Sequence, residues 1–174
     1  NNEINDTLGV DFPNIESSFS LMKFNSDGHL IWDVPYSTKS ANGQFIMDLS
    51  VDPFNNIYVN VNFESNGIFY SKNTLSPDTL DGFRGDYGQK MFLVKYDDDG
   101  TYQWGVQSRV EEGGNSGGSR AIDLEVDTKG NTYITGTNRC NTNNQAMVIY
   151  NSDGSVTSNS VGGYYLAKIN THGI

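Results

Sequence analysis

The densest group of ionisable side chains in the sequence is Asp97-Asp98-Asp99-Gly100, with Asp27, Asp52 and Asp127 in comparable settings. Clustered aspartates can hold calcium. A calcium loop, however, spaces its acids alternately, Asp-x-Asp-x-Asp-Gly, and adds a bidentate Glu at its end. The run at 97–100 has neither feature. Aspartates beside glycine also start turns by accepting backbone N–H bonds, and that is the role expected for them. The expectation is no metal and no cofactor: calcium is compatible with the residue types but unsupported by any motif.

Other catalytic constellations lack members. His29 and His172 are the two histidines, both in turn-like settings, so no Ser-His-Asp set can be argued and no zinc motif exists. Cys140 is the single cysteine, which excludes an internal disulfide and leaves an incidental loop thiol. Glu111-Glu112 is a carboxylate pair of the kind glycoside hydrolysis uses, but that chemistry depends on a separation that sequence does not give. The arginines are more informative. Arg84, Arg109, Arg120 and Arg139 all lie in or beside long segments that also hold Tyr70, Phe83, Asp86, Tyr87, Glu111 and Glu112. Arg, Tyr and Phe anchor interfaces. The candidate ligand-binding set is therefore Arg84, Asp86, Tyr87, Arg109, Glu111, Glu112, Arg120 and Arg139.

Charge narrows the partners. Lys and Arg number 11 against 21 Asp and Glu, a formal charge of −10. Nucleic acid and anionic membranes both reward clustered basic residues, so neither is expected. No run approaches the roughly 18 apolar residues of a membrane span. A protein or a glycan is the expected partner. The chain begins at Asn1 with neither methionine nor a signal peptide, so it reads as a processed form, a fragment or an excised domain.

The elements that must position these residues recur along the chain. Lys23 to Lys95 is 72 positions, Lys95 to Lys168 is 73, and Trp32 to Trp104 is 72. Asp48 to Asp123, Asp52 to Asp127 and Tyr58 to Tyr133 are each 75. One hairpin of the repeat is Phe45–Val59, matched by Arg120–Ile134. There Ile122, Leu124 and Val126 alternate with Asp123, Glu125 and Asp127, which is strand periodicity. Gly130, or Asn55 in the other copy, supplies the left-handed turn residue. The other hairpin is Met91–Trp104, matched by Phe19–Trp32 and begun again at Tyr164. Asp27-Gly28, Asp99-Gly100 and His172-Gly173 form its turn. Tyr150–Gly154 reads as an extra hairpin inside the last long segment. With strands A and B in the first hairpin and C and D in the second, the order is C-D, A-B-C-D, A-B-C. This divides one domain, 1–174, into a partial unit (1–40), a complete unit (41–108) and a unit lacking its last strand (119–174).

Four antiparallel strands per repeat resembles the bacterial-type β-propeller repeat family. The resemblance is carried by Phe92, Leu93, Lys95, Tyr96, Asp97, Gly100 and Trp104, then by Asp123, Leu124, Asp127, Gly130, Asn131, Tyr133 and Gly136, with Asp11-Phe12-Pro13 like a piece of the B-to-C loop. Asn55 and Asn60 replace glycines of that pattern, and His172 replaces the turn acid. The resemblance implies an all-β fold of four-stranded antiparallel propeller-type blades. About two and a half blades are present, so the chain is an incomplete propeller or part of a larger one; an unclosed, capped stack of β-units is the alternative. Family members are mostly surface or secreted proteins, so a secreted, cell-surface or virion-surface location is expected. Open strand edges make self-association a further expectation.

In such a blade the A–B and C–D turns leave at one face. The long segments 63–90, 109–119 and 137–163 leave at the other, where recognition is expected. Asp48, Asp123, Lys95, Lys168, Trp32 and Trp104 are expected to be structural. Asp48 and Lys95 on one sheet would sit about 10 Å apart, so a contact to a neighbouring blade or to backbone is expected instead. The sialidase Asp-box spacing is absent, since Asp and Gly are adjacent here. The functional expectation is a non-enzymatic scaffold, adhesion or binding module. The alternatives are a polysaccharide-acting enzyme with its site on the long-loop face, and a lattice component that assembles through open strand edges.

Overall fold

The computed structural model describes residues 17–38, 45–63, 67–72, 78–80, 90–111, 118–139, 146–158 and 162–174. In chain order its strands are β1 (Ser17–Phe24), β2 (Leu30–Thr38), β3 (Phe45–Val51), β4 (Ile57–Phe63), β5 (Gly67–Phe69), β6 (Asp78–Leu80), β7 (Lys90–Tyr96), β8 (Tyr102–Glu111), β9 (Gly118–Val126), β10 (Thr132–Arg139), β11 (Ala146–Tyr150), β12 (Val156–Ser158) and β13 (Gly163–Ile169). No helix occurs among the described residues, so none is long and apolar enough to cross a membrane. The strands form three antiparallel sheets, ordered β1-β2-β5-β6, β3-β4-β7-β8-β11-β12 and β9-β10-β13, and none closes on itself.

The six-stranded sheet lies between the other two. Every residue of β4 is buried. Its odd positions, Ile57, Val59, Val61 and Phe63, share a core with Trp32 and Val34 of the first sheet. Tyr58, on the opposite side of the strand, joins Leu124 and Ile134 of the third sheet in a second core. β7 divides likewise: Phe92, Val94 and Tyr96 face the first sheet, while Met91 and Leu93 face the third. Strands covered on both faces carry no solvent side, which is why Met91–Val94 at the centre of β7 reads as a continuous apolar run.

Two of the long connections are not plain loops. The 63–90 segment contains β5 and β6, which extend the first sheet by pairing with β2. The 137–163 segment contains β11 and β12, which extend the second sheet by pairing with β8. In both cases a connection crosses back to cover the edge of the preceding sheet. The hairpin expected at Tyr150–Gly154 is the turn between β11 and β12. The one at β5–β6 was not expected. Its strands have three residues each, too few to show alternation. They form because the edge of β2 offers unpaired backbone groups.

Bulges recur at matching places. Ile31 and Gln103 are the extra residues opposite β1 and β7, each one position before a tryptophan. Met47 and Ile122 are the extra residues in β3 and β9, each one position before an aspartate. A bulge re-aims the side chain that follows it, and these four precede Trp32, Trp104, Asp48 and Asp123.

Candidate functional site

Six turns have one geometry. The first residue (Asn25, Asp52, Asp97, Asp127, Asn151 or Asn170) donates its N–H to the carbonyl four positions on and accepts an N–H from the residue three positions on. That third position is left-handed in every case: Gly28, Asn55, Gly100, Gly130, Gly154 and Gly173. At Asn25, Asp52, Asp97, Asp127 and Asn170 the side chain also accepts backbone N–H bonds. Asp52 Oδ1 takes those of Phe54 and Asn56, Asp97 Oδ1 those of Asp99 and Thr101, and Asp127 Oδ1 those of Lys129 and Asn131. Asn25 and Asn170 do the same. Asp52, Asp97 and Asp127 are therefore turn formers, and their carboxylate oxygens are already occupied. No cluster of three metal-ligating side chains occurs among the described residues.

The turns of the three sheets meet on one side, and side chains of one sheet grip the turn of the next. Trp32 Nε1 donates to the Asp98 carbonyl at 3.0 Å, and its ring lies against Gly100. Trp104 Nε1 donates to the Thr171 carbonyl at 3.0 Å, and its ring lies against Gly173. Lys23 bonds the Asp98 carbonyl at 3.0 Å and pairs with the Asp98 carboxylate. The Tyr58 hydroxyl lies 3.2 Å from both Asp52 Oδ2 and the Gly130 carbonyl oxygen. Lys95 stands over the Tyr58 ring, 5.4 Å from its centroid, and Lys168 over Tyr133 at 5.5 Å.

Electrostatics follow from these contacts. Burial works to raise the Asp52 pKa, but the bonds from Asn56, Phe54 and Tyr58 outweigh it and hold the carboxyl below its usual value. Asp127, held first by the Asn131 side chain, falls to about 2. Tyr58 is raised by burial and then by the Asp52 charge. Lys95 is lowered by burial, against the pull of Asp52 and Asp97. Asp52 is itself buried, and its contacts with Tyr58 brace the junction between sheets.

Two further links join the second and third sheets. Asp48 Oδ2 accepts the Leu124 N–H at 3.0 Å. The Asn62 amide donates to the Ala121 carbonyl at 3.0 Å and accepts the Ala121 N–H at 3.1 Å. Asp48 thus bonds both a neighbouring sheet and backbone, the kind of contact expected for it. Asp123, its counterpart, is exposed. Asn62 carried no sequence signal, since one more Asn in an Asn-rich chain is unremarked.

The expected ligand-binding residues divide. Arg84, Asp86, Tyr87 and Glu112, with Phe83, lie outside the described residues. Arg109 and Glu111 are in the last three positions of β8. Arg120 and Arg139 are exposed near the start of β9 and at the end of β10. Their register, Arg139 opposite Gly118 and Arg120 opposite Thr137, places both on the outer face of the third sheet. These strand ends lie on the side away from the six turns. Tyr70, grouped with them by sequence, is buried in the first core. No family model, curated protein or solved structure matches the chain.

Proposed function

We propose that the chain is a non-enzymatic scaffold and binding module of a secreted, cell-surface or virion-surface protein, built from propeller-type blades. The observation that carries this reading is a division of labour. On the turn side, acids, indoles and hydroxyls are committed to holding one sheet against the next. On the opposite side, Arg120 and Arg139 are exposed on the outer face of the third sheet, and Arg109 and Glu111 stand at the end of β8. A rigid sheet framework with arginines at its variable connections suits recognition of a protein or an acidic glycan. The extracellular placement rests on the family resemblance alone.

A glycan array probed with the whole chain tests the reading. The expected result is binding without release of product, weakened at least tenfold in the Arg120→Ala/Arg139→Ala double variant. Hydrolysis of an arrayed polysaccharide that disappears on changing Glu111 or Glu112 would replace this reading with an enzymatic one.

A further inference from the structure

The two outermost sheet faces carry apolar side chains whose counterparts in the middle sheet are buried. On the first sheet, Met22, Phe24 and Leu30 are exposed. They correspond in sequence to Val94, Tyr96 and Tyr102, which pack against the first sheet. On the third sheet, Tyr164 is 87% and Leu166 71% exposed. They correspond to Met91 and Leu93, which are 0% exposed because the third sheet covers them. Among the described residues, the first sheet thus lacks the neighbour that the second sheet has on one side, and the third lacks the neighbour that the second has on the other.

We infer that these two faces are halves of one head-to-tail interface, and that the partner of each is a second copy of this chain. The two junctions inside the chain are the pattern for it. In both, a face bearing the Met91/Leu93 type of residue packs on a sheet one step further along. Leu21, the counterpart of Leu93 in the first sheet, packs in the first core. The polar contact has a counterpart too. Lys23 grips the Asp98 carbonyl of the next turn. Lys168, in the matching position on the third sheet, would meet the Ser26 carbonyl of the second copy, with Asp27 beside it. The inference deepens the module reading by naming a partner for the third sheet's outer face, and in that sense rests on it.

One element of the internal junctions has no counterpart. Gly100 and Gly173 are each covered by an indole, whereas a Cβ at Gly28 would meet nothing within 4 Å. The chain has 2 Trp, and both are used at the internal junctions. Neither of these two indoles is left to cover the turn at Gly28, so the contact between copies of this chain is expected to be reversible and weaker than the internal packing. A head-to-tail contact is heterologous and, unless it closes into a ring, adds further copies.

Sedimentation equilibrium on the chain, with Phe24→Asp and Leu166→Asp variants, tests this. Both positions are solvent-facing, and unchanged circular dichroism checks that the variants fold. The wild type is expected to show a weight-average mass that at least doubles with concentration. Each variant alone is expected to stay at the mass of one chain, because each has lost one half of the interface. Their mixture is expected to stop at a one-to-one dimer, since one contributes the intact third-sheet face and the other the intact first-sheet face. A wild type that stays single at the highest attainable concentration overturns the inference, as does a variant that still associates by itself. Arg120 and Arg139 share the outer face with Tyr164 and Leu166, so the array is probed at a concentration where the wild type sediments as a single chain, and its result then tests the module reading separately.

Discussion

The carboxylate of Asp48 accepts the backbone N–H of Leu124 at 3.0 Å, a bond between two sheets. Asp123 occupies the same place after a bulge one sheet further on, yet it faces solvent. The same residue type at matching positions therefore has unequal energetic weight. Removing Asp48 leaves the Leu124 N–H without its acceptor at a partly buried position. Asp48→Ala is expected to cost about 1–3 kcal/mol. Asp123→Ala is expected to fall within about 0.5 kcal/mol of the wild type. Urea denaturation of the two variants checks this, and equal losses would contradict the assignment.

Glycine positions show a parallel asymmetry. Gly28 and Gly100 have left-handed backbones, with φ of 83° and 79°. Alanine at either pays the left-handed penalty of about 1–2 kcal/mol. At Gly100 the added carbon would also lie 3.0 Å from the Trp32 ring, whereas at Gly28 it meets nothing within 4 Å. Gly100→Ala is therefore expected to destabilise more than Gly28→Ala, and to shift Trp32 fluorescence. Equal melting temperatures for the two would show that the ring moves aside freely.

Stability should fall at both ends of the pH scale. Asp52 and Asp127 have folded pKa values below those of the unfolded chain, Asp127 at about 2, so their contribution is complete above the unfolded value near 4 and is lost as pH falls through the folded values. Tyr58 and Tyr165 are the reverse case. Burial raises both, Tyr165 to about 12. Their contribution is complete below the unfolded value near 10 and is lost as pH rises through the folded values. Urea midpoints measured across pH are expected to decline below about pH 4 and above about pH 10. Tyr58→Phe removes one alkaline titration and should flatten the upper decline. An unchanged decline in that variant would count against the Tyr58 assignment.

Much of this fold was legible because turns and periodicity are local. Asp-Gly and Asp-x-x-Gly-Asn runs specify the turns through their own side chains, and the six turns of one geometry follow from them. The alternation Ile57-Tyr58-Val59-Asn60-Val61-Asn62-Phe63 does not encode its own surroundings. It reads as a strand with one wet face, but all seven residues are buried. The polar face turns toward another sheet, and only tertiary placement reveals that. The hairpin β5–β6 was hidden for a similar reason, since its pairing partner is β2 and not a neighbour in sequence. The candidate site was legible as residue types but not as a constellation: the register of β9 and β10 puts Arg120 and Arg139 on one face, which arginine spacing does not encode.

Asn62 provides the strictest test of how the second and third sheets are joined. Its amide both donates to and accepts from the backbone of Ala121, and the residue is 1% exposed. Asn62→Ala leaves the Ala121 N–H and carbonyl without partners, each costing about 1–3 kcal/mol. Asn62→Asp is nearly the same size but cannot donate to the carbonyl, and it places a carboxylate in the buried junction. Desolvation raises the pKa of such a group in the folded state. The penalty is then small in acid and grows as pH rises above the unfolded value of about 3.9. The urea midpoint of Asn62→Asp is expected to increase as pH is lowered from about 7 to 5, a range in which the wild type should change little. If the two proteins track one another across that range, Asn62 is not the buried bridge between β4 and β9.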